Sequence, residues 1–303
     1  MPTLTAIVPA TDRPATLGRC LSAIRAALEP PEEIVVIEEP PGGPAAARNE
    51  GARRAGGEVL VFVDSDVEVH DDAFVRIRRA FDADPELTAL FGAYDDDPAE
   101  RDPVSSFRNL LHHHVHTLGK GPATTFWAGL GAVRREEFFT AGGFDAARYP
   151  WPSIEDIELG ARLTERDGRI VLDPAVSGKH LKRWTLLGYL RTDLLRRGIP
   201  WVELLLETRS STTALNLGWP HRLSSLLSVA AIVASLQGRP RGAIVATSGL
   251  VALNGSFYAL VWRRRGPATA LAAVPLHALH HAAGALAAPL GVGAHMLRRR
   301  RRR

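Results

Sequence analysis

Cysteine is almost missing from this chain of 303 residues: Cys20 stands alone, so no internal disulfide can brace the fold, and a reducing compartment suits it. The opening residues, Met-Pro-Thr-Leu-Thr-Ala-Ile-Val-Pro, lack a basic stretch and a long apolar stretch, so no secretory leader is expected and the N-terminal part is expected in the cytosol. Acid is scarce in one region only. Residues 201–303 carry two acids, Glu203 and Glu207, against 13 Arg, whereas residues 1–200 carry 31 acids against 24 Lys and Arg. A basic tail suits nucleic acid or an anionic membrane surface. Aromatic residues make up only 7% of the chain and are little interleaved with the tail, so no nucleic-acid partner is expected and a membrane is favoured.

What is present centres on Val59 to Glu68, Val-Leu-Val-Phe-Val-Asp-Ser-Asp-Val-Glu. A Val-rich run bounded by Gly56-Gly57 on one side and acid on the other reads as a strand buried on both faces. Ligands of open α/β sheets bind beyond the carboxyl ends of the strands, where Asp64 and Asp66 stand close enough to share a divalent cation such as Mg²⁺ or Mn²⁺. The plainer reading of Asp-Ser-Asp is a turn or helix cap.

Around this run the pattern alternates. Leu4 to Val8 is a short apolar strand, and Asp12-Arg13-Pro14 opens a helix to about Ala27, with Leu17, Leu21, Ile24 and Leu28 on its buried stripe. Pro30-Pro31 ends it, Glu33 to Ile37 forms a second strand, and helices follow over about 44–54 and 72–81. Strand-helix alternation predicts a right-handed parallel sheet and a nucleotide-binding half within the first 90 residues.

Several segments together resemble the family 2 glycosyltransferases, inverting enzymes with a Rossmann-like fold of the GT-A type. They are Ala6-Ile-Val-Pro9 with Arg13, Glu33-Ile-Val-Val-Ile-Glu-Glu39, Ala47-Arg-Asn49, Asp64-Ser-Asp66, Phe126-Trp127-Ala128-Gly129, Gly142-Gly-Phe-Asp145 and Glu155-Asp156. The resemblance covers roughly residues 4–184 and implies an α/β domain with a mixed, mostly parallel sheet. It further implies that Asp66 ligates the metal, with Asp64 on the ribose or on a metal-bound water, and that His180 is a third protein ligand. Pro9, Arg13, Glu38, Glu39 and Arg48 would line the nucleotide pocket. The family's second strand commonly ends in Asp-Asp-Gly-Ser, whereas Glu38-Glu39-Pro40-Pro41 stands here, which leaves the base undefined.

Transfer of a sugar from a nucleoside diphosphate needs a cation on the leaving group, donors that orient it, and a base for the attacking hydroxyl. Ser153 to Glu158 opens a helix with acids in its first turn, which by themselves complement the helix dipole. By the resemblance Asp156 is the base and Glu155 its orienting or acceptor-side partner. Lys182 and Arg183 could hold the diphosphate, with Trp184 walling the acceptor side, and a basic turn touching lipid phosphate is the competing reading. His112 and His116 would share a helix face, yet no Cys or acid pair completes a tetrahedral site, so a surface or acceptor-facing helix is expected.

Beyond Leu186 short apolar stretches sit beside Arg and Trp, as in helices at a bilayer surface. Of three apolar segments, 223–236, 242–262 and 267–296, only 242–262 is a clean span of about 20 residues, the last being broken by Pro275 and Pro289. The chain is thus expected to comprise a catalytic domain over 1–184, interfacial amphipathic helices over 185–221, and a transmembrane or membrane-associated helical region with a basic tail over 222–303. The expected activity is transfer of a single sugar from a nucleoside diphosphate donor to a lipid or lipid-linked acceptor at the cytosolic membrane face. The alternatives are a processive polysaccharide synthase and a non-catalytic sugar-nucleotide or anionic-lipid binding protein.

Overall fold

The computed structural model describes residues 1–12, 14–39, 42–208 and 218–301. The chain divides into two compact units, Met1–Ala99 with Val115–Lys182, and Glu100–His114 with Arg183–Arg303.

The first unit is built on one mixed sheet. Its elements are β1 (Leu4–Pro9), α1 (Leu17–Ala26), β2 (Glu33–Ile37), α2 (Gly43–Arg54), β3 (Val59–Val63), β4 (Val67–Val69), α3 (Ala73–Ala83) and β5 (Leu87–Tyr94). After α4 (Pro103–Leu118), which begins in the other unit, come β6 (Gly121–Ala123), β7 (Leu130–Arg134), α5 (Arg135–Thr140), α6 (Glu155–Glu165) and β8 (Arg169–His180). The sheet order is β2-β1-β3-β7-β5-β8-β4, with β6 on β8. The parallel order expected from the alternating pattern holds for β2, β1 and β3. It then stops, because β7 inserts between β3 and β5 and runs antiparallel to both. All five residues of β3 are buried, as its solid apolar run requires of a strand covered on both faces. Phe62 anchors the core at ring-centroid distances of 5.1 Å from Phe144 and 5.5 Å from Phe138.

Two differences from the sequence reading bear on the site. The apolar run ends as a strand at Val63, where the acids begin, but a further short strand that was not expected, Val67–Val69, pairs antiparallel with β8. The strand expected to stop at Leu172 runs on to His180, with a register shift between the Phe91–Leu172 and Ala93–Ser177 pairs. Asp173-Pro174 mimics a strand terminator, but proline at an irregularity costs no ladder hydrogen bond.

The second unit is helical: α7 (Leu186–Arg191), a π-helical turn over Thr192–Gly198, α8 (Ile199–Thr208), α9 (Trp219–Leu236), α10 (Pro240–Leu253) and α11 (Gly255–Arg301). The expected span over 242–262 is not one helix. It breaks at Asn254, whose side-chain amide donates to Ser224 Oγ and Leu250 O, each at 2.9 Å, so α10 is only 14 residues long. The length and apolar composition to cross a membrane belong instead, among the described residues, to Gly255–Arg300, of whose apolar window 33% is buried. Gly266 interrupts that helix at φ 80°, ψ 176°, directly before Pro267.

Candidate active site

The carboxyl end of β3 opens into a tight turn. Asp64 N donates to Gly129 O at 3.0 Å and Val67 N donates to Asp64 O at 2.9 Å, so Asp64-Ser65-Asp66 is a turn, as the plainer reading had it, and also a pair of carboxylates at the strand end. The turn sends the two acids to different partners. Cys20 is buried behind it, and burial first, then the charges of Asp64 and Asp66, push its thiol up to about 12, which leaves it inert.

Asp64 meets Arg48 of α2. Arg48 Nη2 donates to Asp64 Oδ1 at 2.6 Å, and Nη1 donates to Glu155 Oε1 at 2.9 Å. The guanidinium is buried, and although burial opposes its charge, Asp64, Glu155 and Asp156 more than compensate and raise its pKa. Asp64 itself is raised by burial, with Arg48 opposing and Asp66 adding to the rise. Carboxylates from two separate motifs are thereby held by one fork.

Asp66 faces the other way. Its Oδ2 lies 3.8 Å from His180 Nε2 and 3.9 Å from Lys182 Nζ. Burial pushes this carboxyl up, but His180 and Lys182 outweigh it and hold it below the ordinary value. His180 is brought here by the extension of β8, in which it pairs with Val67, and Leu181 N donates to Asp66 O at 2.8 Å. Among the described residues no three His, Cys, Asp or Glu side chains form a ready-made metal cage. Mg²⁺ or Mn²⁺ does not require one, since these ions sit on one or two carboxylates and complete their shell with substrate phosphate and water. Two ligands roughly 2.1 Å from one such ion lie about 3 to 4.2 Å apart, so the Asp66–His180 separation fits.

Glu155 and Asp156 open α6. Glu155 Oε2 accepts from Ser153 N at 2.8 Å, a capping contact, while its Oε1 is held by Arg48. Asp156 Oδ2 accepts from Ala128 N at 3.2 Å. This approach of α6 to the 125–128 segment depends on Gly160, one turn later, where a Cβ would collide with the Phe126 backbone nitrogen.

The remaining expected site residues are distributed as follows. Pro9 is buried at the end of β1 opposite Ile37, and Glu38 and Glu39 are exposed just beyond β2. Arg13, with Pro40 and Pro41, lies outside the described residues. Arg183 and Trp184 belong to the C-terminal unit, where Trp184 N donates to Ser105 Oγ at 2.8 Å and Arg108 packs over the indole ring. His116, expected on a surface or acceptor-facing helix, is buried: its Nδ1 lies 2.9 Å from Gly92 O and its ring packs on Phe91 and Trp127. Asn49, beside Arg48 in α2, has a structural part. Its amide makes a paired contact with Phe144, donating to O at 2.8 Å and accepting from N at 2.9 Å, which ties α2 to the Gly142-Gly143 turn. Tyr94, which lies in none of the sequence motifs, stacks its ring on His180.

Residues 33–141, which include the Asp64-Ser-Asp66 turn, match the family model for glycosyl transferase family 2. The chain carries a family 2 glycosyltransferase domain. A mannosyltransferase, PcManGT from Pyrobaculum calidifontis, solved in complex with GDP-Man and Mn²⁺, is similar in structure at a TM-score of 0.56 and 16% identity, over 95% of this chain and 87% of that one. GalNAc-T7, solved with UDP, GalNAc and Mn²⁺, aligns at a TM-score of 0.48 and 15% identity, over 68% of this chain and 48% of its own. The first likeness shows the architecture of the glycosyltransferase, a mixed-sheet GT-A fold followed by long C-terminal helices.

Proposed function

We propose that this glycosyltransferase domain moves one sugar from a nucleoside diphosphate donor to a lipid or lipid-linked hydroxyl, with inversion at the anomeric carbon and with Mg²⁺ or Mn²⁺ bound. The observation that carries the reading is the divided carboxylate pair, with Asp64 on Arg48 and Asp66 facing His180 and Lys182. The similar mannosyltransferase holds a nucleotide sugar and Mn²⁺, which supports the same class of donor and cation here.

Asp66 and His180 would hold the cation, which supplies charge neutralisation for the departing diphosphate. Lys182, exposed beside Asp66, adds a second positive charge on the diphosphate side. Asp64, oriented by Arg48, would meet the ribose or a cation-bound water, and Pro9, Arg13, Glu38 and Glu39 would border the nucleotide. Asp156 acts as the base. As the acceptor oxygen bonds to the anomeric carbon and the carbon–oxygen bond to diphosphate breaks, the hydroxyl proton passes to the Asp156 carboxylate. The dipole at the start of α6 favours the ionised form that this step needs. Glu155, fixed by Arg48 and Ser153 N, keeps α6 in place on the acceptor side.

The lipid character of the acceptor rests on the C-terminal helices. Leu226, Leu236, Ile244, Val245, Leu271 and Met296 are all exposed, and Arg298 to Arg300 follow directly. Exposed apolar side chains beside cationic ones suit a membrane surface or interior. We therefore place the protein at the cell membrane, integral or peripheral, with its catalytic domain in the cytosol.

The test separates binding from chemistry. Asp156→Asn should leave donor affinity within about twofold and lower the transfer rate by roughly 10²- to 10⁴-fold. A collapse of donor affinity with the fold intact would assign Asp156 to the nucleotide pocket and overturn its role as base.

A further inference from the structure

Tyr94 ends β5 opposite Gly178 of β8, and His180 lies two residues further along that strand. Residues two apart share a strand face, and an aromatic side chain can reach such a diagonal neighbour. The two rings lie nearly parallel, 16° apart, with centroids at 4.0 Å. Tyr94 is backed in turn: Trp127 meets it edge-on at 4.9 Å, and His116 meets Trp127 at 5.4 Å and 90°. His116 Nδ1 lies 2.9 Å from Gly92 O, which returns the column to β5, the strand that carries Tyr94.

Pairing of β8 with β4 fixes the His180 backbone but leaves its ring to rotate about two side-chain bonds. Only some of those orientations aim Nε2 at Asp66. A flat neighbour in stacking contact removes the others, which is how groups outside the ligand sphere orient a metal-binding imidazole.

We propose that Tyr94 is a positioning residue for His180, the stacked ring in a Tyr94–Trp127–His116 column that holds the imidazole edge toward Asp66 and so raises the cation affinity of the site. The inference rests on the assignment of His180 as a ligand made under Proposed function. It requires the aromatic plane of Tyr94 and not its hydroxyl.

The experiment measures Mn²⁺ binding by electron paramagnetic resonance on the full chain in detergent, with UDP and with GDP in parallel, for the wild type, Tyr94→Phe, Tyr94→Leu and His180→Ala. Tyr94→Phe should bind within about twofold of wild type, whereas Tyr94→Leu should bind roughly tenfold more weakly, the range expected for loss of an outer-shell partner. His180→Ala should be at least as weak as Tyr94→Leu. If Tyr94→Leu fails a thermal-melting check of its fold, Tyr94→Met, which retains bulk without a plane, takes its place. Wild-type affinity in the leucine or methionine variant alongside a weakened His180→Ala would overturn the role of Tyr94 and leave the metal assignment standing. Equal losses in Tyr94→Phe and Tyr94→Leu would overturn the stacking argument. Unchanged affinity in His180→Ala would remove His180 from the metal site and take the inference with it.

Discussion

Each unit sets an arginine among ionisable groups, Arg48 buried and Arg108 partly so, and the balance of charge around it differs. In the catalytic unit Arg48 binds Asp64 and Glu155 and also feels Asp156, so three carboxylates share one buried cation. In the C-terminal unit a single carboxylate, Asp193, takes Arg108 Nη1 at 2.7 Å and faces His280 Nδ1 at 2.6 Å. Arg108 also packs over Trp184 and Tyr189. The first cluster is short of positive charge and can take more from a cation or a protonated acceptor. The second already has enough and serves to pin the start of α4, the π-helical turn and α11. The same residue types thus give a cluster with carboxylate charge to spare or a balanced structural clasp according to whether their charges cancel.

Four results would break or sharpen that contrast, taken from the largest effect down. Asp66→Ala should lower transfer by roughly 10³-fold or more, because the unneutralised diphosphate is a poor leaving group. A folded Asp66→Ala protein of normal turnover, or full activity in excess EDTA, would contradict the metal-dependent reading. Arg48→Met leaves Asp64 and Glu155 without their buried partner and should cost about 3 kcal/mol of stability, read as a lower denaturant midpoint. A loss of activity with no change in the midpoint would mean that the fork serves substrate alone.

The C-terminal clasp should fail with acid. Burial pushes Asp193 up, yet Arg108 and His280 pull it further down, to about 2 from an ordinary 3.8. A depressed carboxyl contributes stability that is fully present above its unfolded pKa and is lost as pH falls through the folded value. Roughly 2 kcal/mol should therefore disappear between about pH 4 and pH 2, and Asp193→Asn should flatten that part of the pH–stability curve. An unchanged curve would show that the unit does not depend on this pair. The smallest effect expected is that of salt on membrane attachment: 1 M NaCl should release little of the full chain from membranes, since salt screens Arg clusters but leaves apolar burial intact, whereas detergent should release most. Recovery as a monodisperse soluble protein without detergent would remove the main support for a lipid acceptor.

The parts that could be read from the sequence are those in which the signal is local. A solid Val-rich run ending in acids marked β3 and its carboxylates, and acids behind Ser153 marked the start of α6. The course of β8 could not be read, because Asp173-Pro174 looks like a terminator unless one knows that β5 supplies a partner across the irregularity. The break at Asn254 was hidden as well. Hydropathy averages over an apolar stretch and does not register one amide that finds Ser224 Oγ, 30 residues away. His116 read as surface because a run of histidines has no periodicity of its own, and its burial follows from Phe91 and Trp127.

By itself the sequence determined the strand-helix alternation, the chemistry available at each motif, and the charge division near residue 200, since each depends on side-chain type and short spacing. The tertiary structure alone decided which acid meets which base. Arg48 is 16 residues from Asp64 and 107 from Glu155, and Asp66 is 114 from His180, yet a hydrogen bond or a shared ion is sensitive to displacements of tenths of an ångström. Placement of that accuracy comes from the register of β8 on β4 and the packing of α2 and α6 against the sheet, which no pattern along a single chain encodes.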